Sequence, residues 1–139
     1  MILVRGNVER RNGMEVKISN SDSILDSIKK LLGPGSEHDA FDMDVLIFIN
    51  SVFSDLHQIG VGPIEGFTIE DNTTTWEDYT DDIITLNSIK PYIYLKVRLM
   101  FDPPTSSSVL ESMKNIAKEF EWRINMRAEH LRLAREEVT

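Results

Sequence analysis

The stretch that decides the fold is residues 89–107, which read IKPYIYLKVRLMFDPPTSS. An apolar, helix-like run ends at Pro103 and Pro104, because proline cannot donate the backbone hydrogen bond that a helix needs and restricts the residue before it. The hydroxyl-rich residues 105–107 then offer N-cap side chains for another helix. The stretch therefore predicts a corner between two helices, and it contains no evident catalytic motif.

Apolar periodicity predicts four main helices around this corner. The first runs from a cap at Ser21 or Ser23 to Leu32, and the second spans residues 41–59. The third spans about 86–101, with Pro91 in or near its first turn. The fourth, at about 106–135, is the longest. The residues expected to face inward are Ile24, Leu25, Ile28, Leu31 and Leu32 in the first helix, Phe41, Val45, Phe48, Ile49, Val52, Phe53 and Leu56 in the second, and Leu110, Met113, Ala117, Phe120, Ile124, Ala128 and Leu131 in the fourth.

These patterns predict a mainly α fold, a small bundle of about four helices with a long C-terminal helix. We expect a projecting loop or short hairpin around residues 62–80 and an extended N-terminal arm at residues 1–20. The predicted domain organisation is this arm, a helical domain at 21–127, and a helix end and tail at 128–139.

Charge is distributed unevenly along the chain of 139 residues, whose net charge is −8. Residues 36–82 carry twelve acidic side chains and no lysine or arginine. Ordinary recognition of nucleic-acid phosphates is disfavoured, because it needs a basic face. A solubilising acidic surface is the general explanation of such a segment. The chain lacks cysteine, a membrane-length apolar run and a signal-peptide core, so we expect a soluble intracellular product.

Several polar residues raise the question of chemistry. His38, Asp39, Asp42 and Asp44 could suggest a metal site, but their spacing fits helix capping and helix-dipole compensation better than a known ligand motif. His57 and His130 have no evident nucleophile partner, and the glycines of residues 60–63 lack the lysine of a phosphate-binding loop. We therefore predict no enzyme activity, no metal and no cofactor.

The aromatic residues divide between core and surface. Phe120 belongs to the inward stripe, whereas Trp122 lies about 200° further around the helix and is either an interface anchor or a cap on the core. Trp76 has the same two interpretations. Tyr92 and Tyr94 are expected to pack inside the domain, because no basic groove accompanies them as in a base-stacking surface.

Five short motifs, in this order and spacing, resemble the head-tail connector (adaptor) proteins of tailed phages over about residues 28–127. They are SIKKLLG at 27–33, INSVF at 49–53, IGVGP at 59–63, TWEDY at 75–79 and KEFEWR at 118–123, together with the double-proline corner. Residues 1–20 and the tail from Ala128 depart from the family pattern.

The resemblance implies a structural virion protein, made in the host bacterial cytoplasm and located in the neck between capsid and tail. It implies a homo-oligomeric ring, typically of twelve subunits, beneath the portal protein. It further implies contact with a downstream neck, stopper or tail protein, and double-stranded DNA passing without specific binding, with no membrane involved.

Two sets of residues are our candidates for these contacts. The distal part of the long helix is longer than the core needs, so it could meet the portal or a neighbouring subunit; its candidates are Trp122, Arg127, Leu131, Arg132 and Arg135. Acidic side chains could line the channel and repel DNA phosphates, although an acidic outer face or a contact between rings would explain the charge equally well. The candidates for the channel are Glu70, Asp71, Glu77 and Asp78.

Two alternatives remain from the residues alone. A small acidic helical protein could bind a host protein or mimic DNA charge as an inhibitor, which requires its acids to lie along one exposed face. A weaker alternative is a metal-assisted enzyme that uses Asp39, Asp42 and Asp44.

Overall fold

The computed structural model describes residues 18–33 and 39–138. It contains five α-helices, α1 Ile24–Leu32, α2 Asp42–Gln58, α3 Trp76–Tyr79, α4 Ile83–Phe101 and α5 Ser107–Val138, with a 3-10 turn at Asp39–Phe41 before α2. In these two ranges there is no β-strand, and Ser23 and Thr75 form an isolated antiparallel bridge. The prediction of a mainly α bundle with a long C-terminal helix is confirmed. The predicted N-terminal arm lies outside the described residues, apart from residues 18–20.

Local capping explains where the helices begin. Ser23 accepts a hydrogen bond from the Asp26 backbone N–H at the start of α1, which selects between the two predicted caps. At the double-proline corner, α4 ends at Phe101, and Ser106 accepts a hydrogen bond from the Val109 N–H at the start of α5. The predicted corner between two helices is confirmed.

The central helix is α4, which packs against α1, α2 and α5. The predicted position of Pro91 was wrong: α4 begins at Ile83, so Pro91 is its ninth residue and lies well beyond the first turn. The reason is Asp82, whose carboxylate accepts the Thr85 N–H at 2.9 Å and starts the helix earlier than the apolar pattern indicates. Pro91 then leaves the Asn87 carbonyl without its usual partner inside the helix.

One apolar core joins α1, α2, α4 and α5. The predicted stripes of α1 and α2 face this core except for Phe41, which is exposed at the start of α2, where its ring meets the edge of Phe101 at a centroid distance of 5.6 Å. From the predicted stripe of α5, Phe120, Ile124 and Ala128 pack in or against the core. The rest of that stripe is buried or partly buried outside this cluster: Leu110, Met113, Ala117 and Leu131. The fully buried members include Ile24, Ile28, Ile49, Leu56, Ile89, Ile93 and Ile124.

The segment between α2 and α3 is a loop that folds back onto the helices. Ile69 is buried, and its backbone N–H and C=O bond to the Asn50 amide at 2.8 and 2.9 Å. The rings of Phe53, Phe67 and Tyr79 meet with centroid distances of 4.9 to 5.0 Å. The loop alternative is therefore observed. Val61, Phe67 and Ile69 contribute to the core, whereas Ile64 is exposed.

Trp76 lies in the core, and this position decides between its two predicted interpretations. Its side chain is fully buried, and its indole N–H donates to the Ser27 hydroxyl at 3.1 Å. A capping box between Thr75 and Asp78 begins the short helix α3 and holds the ring in this direction. Tyr92 is also buried, as predicted.

Candidate interaction surfaces

An ion pair between α4 and α5 fixes the long helix on the body. The Arg127 guanidinium donates two hydrogen bonds to the Asp82 carboxylate, at 3.0 and 2.9 Å. Asp82 also accepts from Thr85, so one carboxylate both caps α4 and ties α5 to it. The Arg127 bonds, with those from Thr85, hold the pKa of Asp82 well below its usual range. Arg127, predicted as a docking residue, is thus committed to a contact within the chain.

The other docking candidates lie on or near the surface of α5. Trp122 has 64% of its surface exposed, so it does not cap the core. Arg132 pairs with Glu129 and Glu136 on the same helix, and exposed pairs of this kind stabilise a helix only weakly. Arg135 is exposed and has no ion pair within the described part of the chain, and Leu131 is partly buried. Their role in docking stays a prediction.

The candidates for the channel are all exposed, but two of them have local structural roles. Asp71 accepts hydrogen bonds from the Thr73 hydroxyl and N–H, which lower its pKa. Asp78 forms the capping box of α3. Glu70 and Glu77 make no side-chain hydrogen bond to other described residues, so their charges are available to a partner or to solvent.

A lysine occupies the acidic region where a metal was considered. The Lys29 ammonium is buried against Asp42, 2.6 Å away, and this contact raises the pKa of Lys29. Asp39 lies 3.9 Å from the same ammonium. His38 is outside the described residues, and within them no group of three or more candidate ligands comes together. The arrangement that the structure describes is thus an ion pair.

The sequence analysis named Trp122 but missed the other members of two exposed apolar stripes. One is on α2 and contains Met43 and Ile47, and the other is on α5 and contains Met126 and Leu133 in addition to Trp122. The available signal was their position, since each lies opposite the inward stripe of its own helix.

Comparison with known families decides between the hypotheses. The sequence model described as "Phage connector protein" matches residues 24–130, which include α1 to α4 and most of α5. The chain belongs to the phage connector protein family. No curated protein and no solved structure matches this connector. The alternative of an acidic inhibitor rested on composition alone, and the family match gives it no support.

Membership in the family establishes a connector-type structural protein and a virion component. Phage connectors are in general non-enzymatic. No helix in residues 18–33 or 39–138 of this connector is long and apolar enough to cross a membrane. The family match stops at His130, whereas α5 continues to Val138, so the last turns of this helix lie beyond what the family model describes.

Proposed function

We propose that this connector is a head-tail adaptor, which forms a homo-oligomeric ring under the portal and takes part in head completion and tail attachment around the DNA channel. The observation that carries the proposal is the family match across α1 to α4 and most of α5. About twelve subunits are expected from the resemblance to adaptor proteins. The ring would contact the portal protein on one side and a downstream neck, stopper or tail protein on the other.

For contact with the portal we propose the end of α5. Residues 132–137 are exposed and extend past the core. A helix of this length that leaves the body is suited to a groove on a partner, where its side chains would become buried. We propose Arg135 as the cation that contacts the portal, because it has no ion pair in the described chain, whereas Arg127 and Arg132 are paired.

Truncation after Leu131 tests this assignment. The truncated chain keeps the Asp82–Arg127 pair and the core stripe, so we expect it to stay folded, with an unchanged near-ultraviolet spectrum and a similar thermal midpoint. It should fail to restore infectious particles to a phage that lacks the full-length protein, and electron microscopy should reveal heads without tails. Normal restoration by the truncated chain would refute docking through this end.

A pair of charge reversals provides a matched control. Arg135→Glu and Lys114→Glu both reverse an exposed cation of α5 that has no ion pair in the described chain. We expect Arg135→Glu to reduce attachment and Lys114→Glu to leave it nearly unchanged. Equal effects would indicate a response to net charge and would refute a specific role of the distal end.

For the acidic segment we propose that part of it lines the channel and repels the phosphates of passing DNA. Glu65, Glu70, Glu77 and Asp81 are the residues to neutralise together, because they are exposed and have no side-chain hydrogen bond to described residues. Asp71 and Asp78 should be left intact, since their replacement would also disturb the loop. We expect impaired DNA passage or retention with normal ring assembly, and unchanged infectivity would refute the proposal.

A further inference from the structure

We propose that residues 1–17 of this connector bind, as an extended segment, to an uncovered face of α4 in the same chain. This surface, called the outer α4 face, consists of Ile83, Ile84, Asn87 and Pro91. The proposal goes beyond the ring and the portal contact and does not depend on them, because it concerns a contact within one subunit.

The described chain begins beside the middle of α4. The Lys90 ammonium donates hydrogen bonds to the Ile18 carbonyl at 3.4 Å and to the Asn20 side-chain oxygen at 2.6 Å. Ile18 is partly buried and packs against the core. Consecutive Cα atoms are about 3.8 Å apart, so residue 17 must also lie close to this part of the body. The segment therefore joins the body next to α4.

One face of α4 is left uncovered by the described residues, although α4 is the central helix. Ile83 and Ile84 are 59% and 55% exposed, even though α4 packs against α1, α2 and α5. Ile84 and Pro91 each lie two residues before a buried residue, Leu86 and Ile93 respectively. Both therefore point about 200° away from the core, toward the same side of the helix.

Pro91 also leaves a backbone acceptor near this face. Proline has no N–H, so the Asn87 carbonyl lacks its usual partner within the helix, and Asn87 is exposed. A helix uses most of its own N–H groups internally, whereas an extended segment has N–H groups to donate to a neighbour. The free carbonyl therefore favours an extended segment as the occupant.

The residues just before Ile18 have the alternation that such a contact needs. Met14, Val16 and Ile18 are apolar and alternate with Glu15 and Lys17. Alternate side chains of an extended chain point to the same side, so Met14 and Val16 would face the body together with Ile18. The charged side chains of Glu15 and Lys17 would then face solvent. This pattern identifies the occupant as the chain's own segment.

The lengths are compatible with this contact. Ile84 lies six residues before Lys90, which is about 9 Å along α4 at 1.5 Å per residue. Met14 lies four residues before Ile18, which is about 13 Å of extended chain at roughly 3.3 Å per residue. Residues 14–17 can therefore reach Ile84 from the position of Ile18. Because the segment is tethered beside the face, its effective concentration there favours it over the same segment of another copy.

The reactivity of a single thiol tests the contact, because the natural chain contains no cysteine. Ile84→Cys would be introduced into the full chain and labelled with a maleimide, and the rate would be followed by mass spectrometry. In the same background, Met14→Ser with Val16→Ser weakens the apolar side of the segment. We expect this pair to raise the labelling rate several-fold, because the thiol becomes uncovered.

The matched control is Glu15→Ser with Lys17→Ser, which changes the other side of the segment and should leave the rate nearly unchanged. Ile64→Cys is a second control, because Ile64 is 91% exposed in the loop between α2 and α3. Its labelling rate should be the same with each version of residues 14–17. Circular dichroism at 222 nm would confirm that each variant keeps its helices.

Three results would overturn the proposal. The first is an Ile84→Cys rate that is the same with all versions of residues 14–17. The second is an equal rise with both pairs of serine substitutions, which would rule out a contact through the apolar side. The third is protection that disappears on dilution, because a contact within one chain is independent of concentration whereas cover by another copy is not.

Discussion

Removal of the Asp82 carboxylate should loosen the attachment of the long helix more than any ordinary surface substitution. Asp82→Ala removes the cap of α4, which costs about 1 kcal/mol, and the charged hydrogen bonds to Arg127, which contribute about 1.5 kcal/mol more. We expect a total loss of about 2 to 3 kcal/mol. Asp82→Asn keeps a side chain that caps a helix well, so it should lose only the contribution of the charged hydrogen bonds to Arg127, about 1 to 2 kcal/mol.

The assay is urea unfolding at neutral pH, followed by circular dichroism at 222 nm. With a typical urea dependence, a loss of 2 kcal/mol lowers the midpoint by about 1 M. Arg127→Met tests the same pair from the other side, and the Asp82→Asn, Arg127→Met double variant should be less destabilised than the sum of the two single variants. A structural role of the pair would be refuted if Asp82→Asn were as stable as the natural chain. It would also be refuted if the loss of stability in the double variant equalled the sum of the losses in the two single variants.

The pair should also make stability depend on pH. Arg127 stays charged, while its bonds depress the pKa of Asp82 in the folded chain. The stabilisation is therefore fully present above the pKa of an unfolded aspartate, about 3.9, and is lost as the pH falls through the lower folded value. The difference in stability between the natural chain and Arg127→Met should narrow on acidification below about pH 4. A constant difference down to acidic pH would contradict this mechanism.

Two further substitutions test the loop and the tryptophans. Gly62→Ala should cost about 3 kcal/mol, because its φ is +94° and an added Cβ would lie 2.5 Å from the buried Tyr79 hydroxyl oxygen. Gly66→Ala, with φ +91° and open space around it, should cost only about 1 to 2 kcal/mol. If the Gly62→Ala and Gly66→Ala variants unfolded at the same urea concentration, the close approach of residue 62 to Tyr79 would be contradicted. Trp122→Phe leaves Trp76 as the sole tryptophan, whose emission should be blue-shifted and poorly quenched by acrylamide, since its ring is fully buried. Strong quenching in that variant would show that α3 does not hold the ring in the core.

Local patterns predicted most of the helices because their causes lie close in sequence. The stripes of α2 and α5, the corner at Pro103 and the cap at Ser23 each depend on neighbours within a few residues. The fold class could be predicted on that basis, whereas the connector family was predicted from the resemblance of short sequence motifs to known connector proteins. The predicted arm at residues 1–20 and the domain boundary at 127/128 stay predictions.

What local patterns missed depends on distant partners. Asp82 and Arg127 are 45 residues apart, so their ion pair could not be inferred from either segment. Trp76 and Ser27 are 49 residues apart, so their hydrogen bond could not be inferred from either segment. The exposed apolar residues of α2 and α5 other than Trp122 escaped notice, because periodicity identifies the face that points inward and gives little weight to residues on the opposite face.

The measurement that tests the central claim most directly is the mass of the purified protein by light scattering across a concentration series, alone and mixed with the portal protein of the same phage. Twelve copies of a 15.9 kDa chain would add about 190 kDa to a portal ring. The account predicts either a large closed ring or a weakly associating subunit that the portal recruits in many copies. A monomer or dimer whose mass is the same with and without the portal would contradict it.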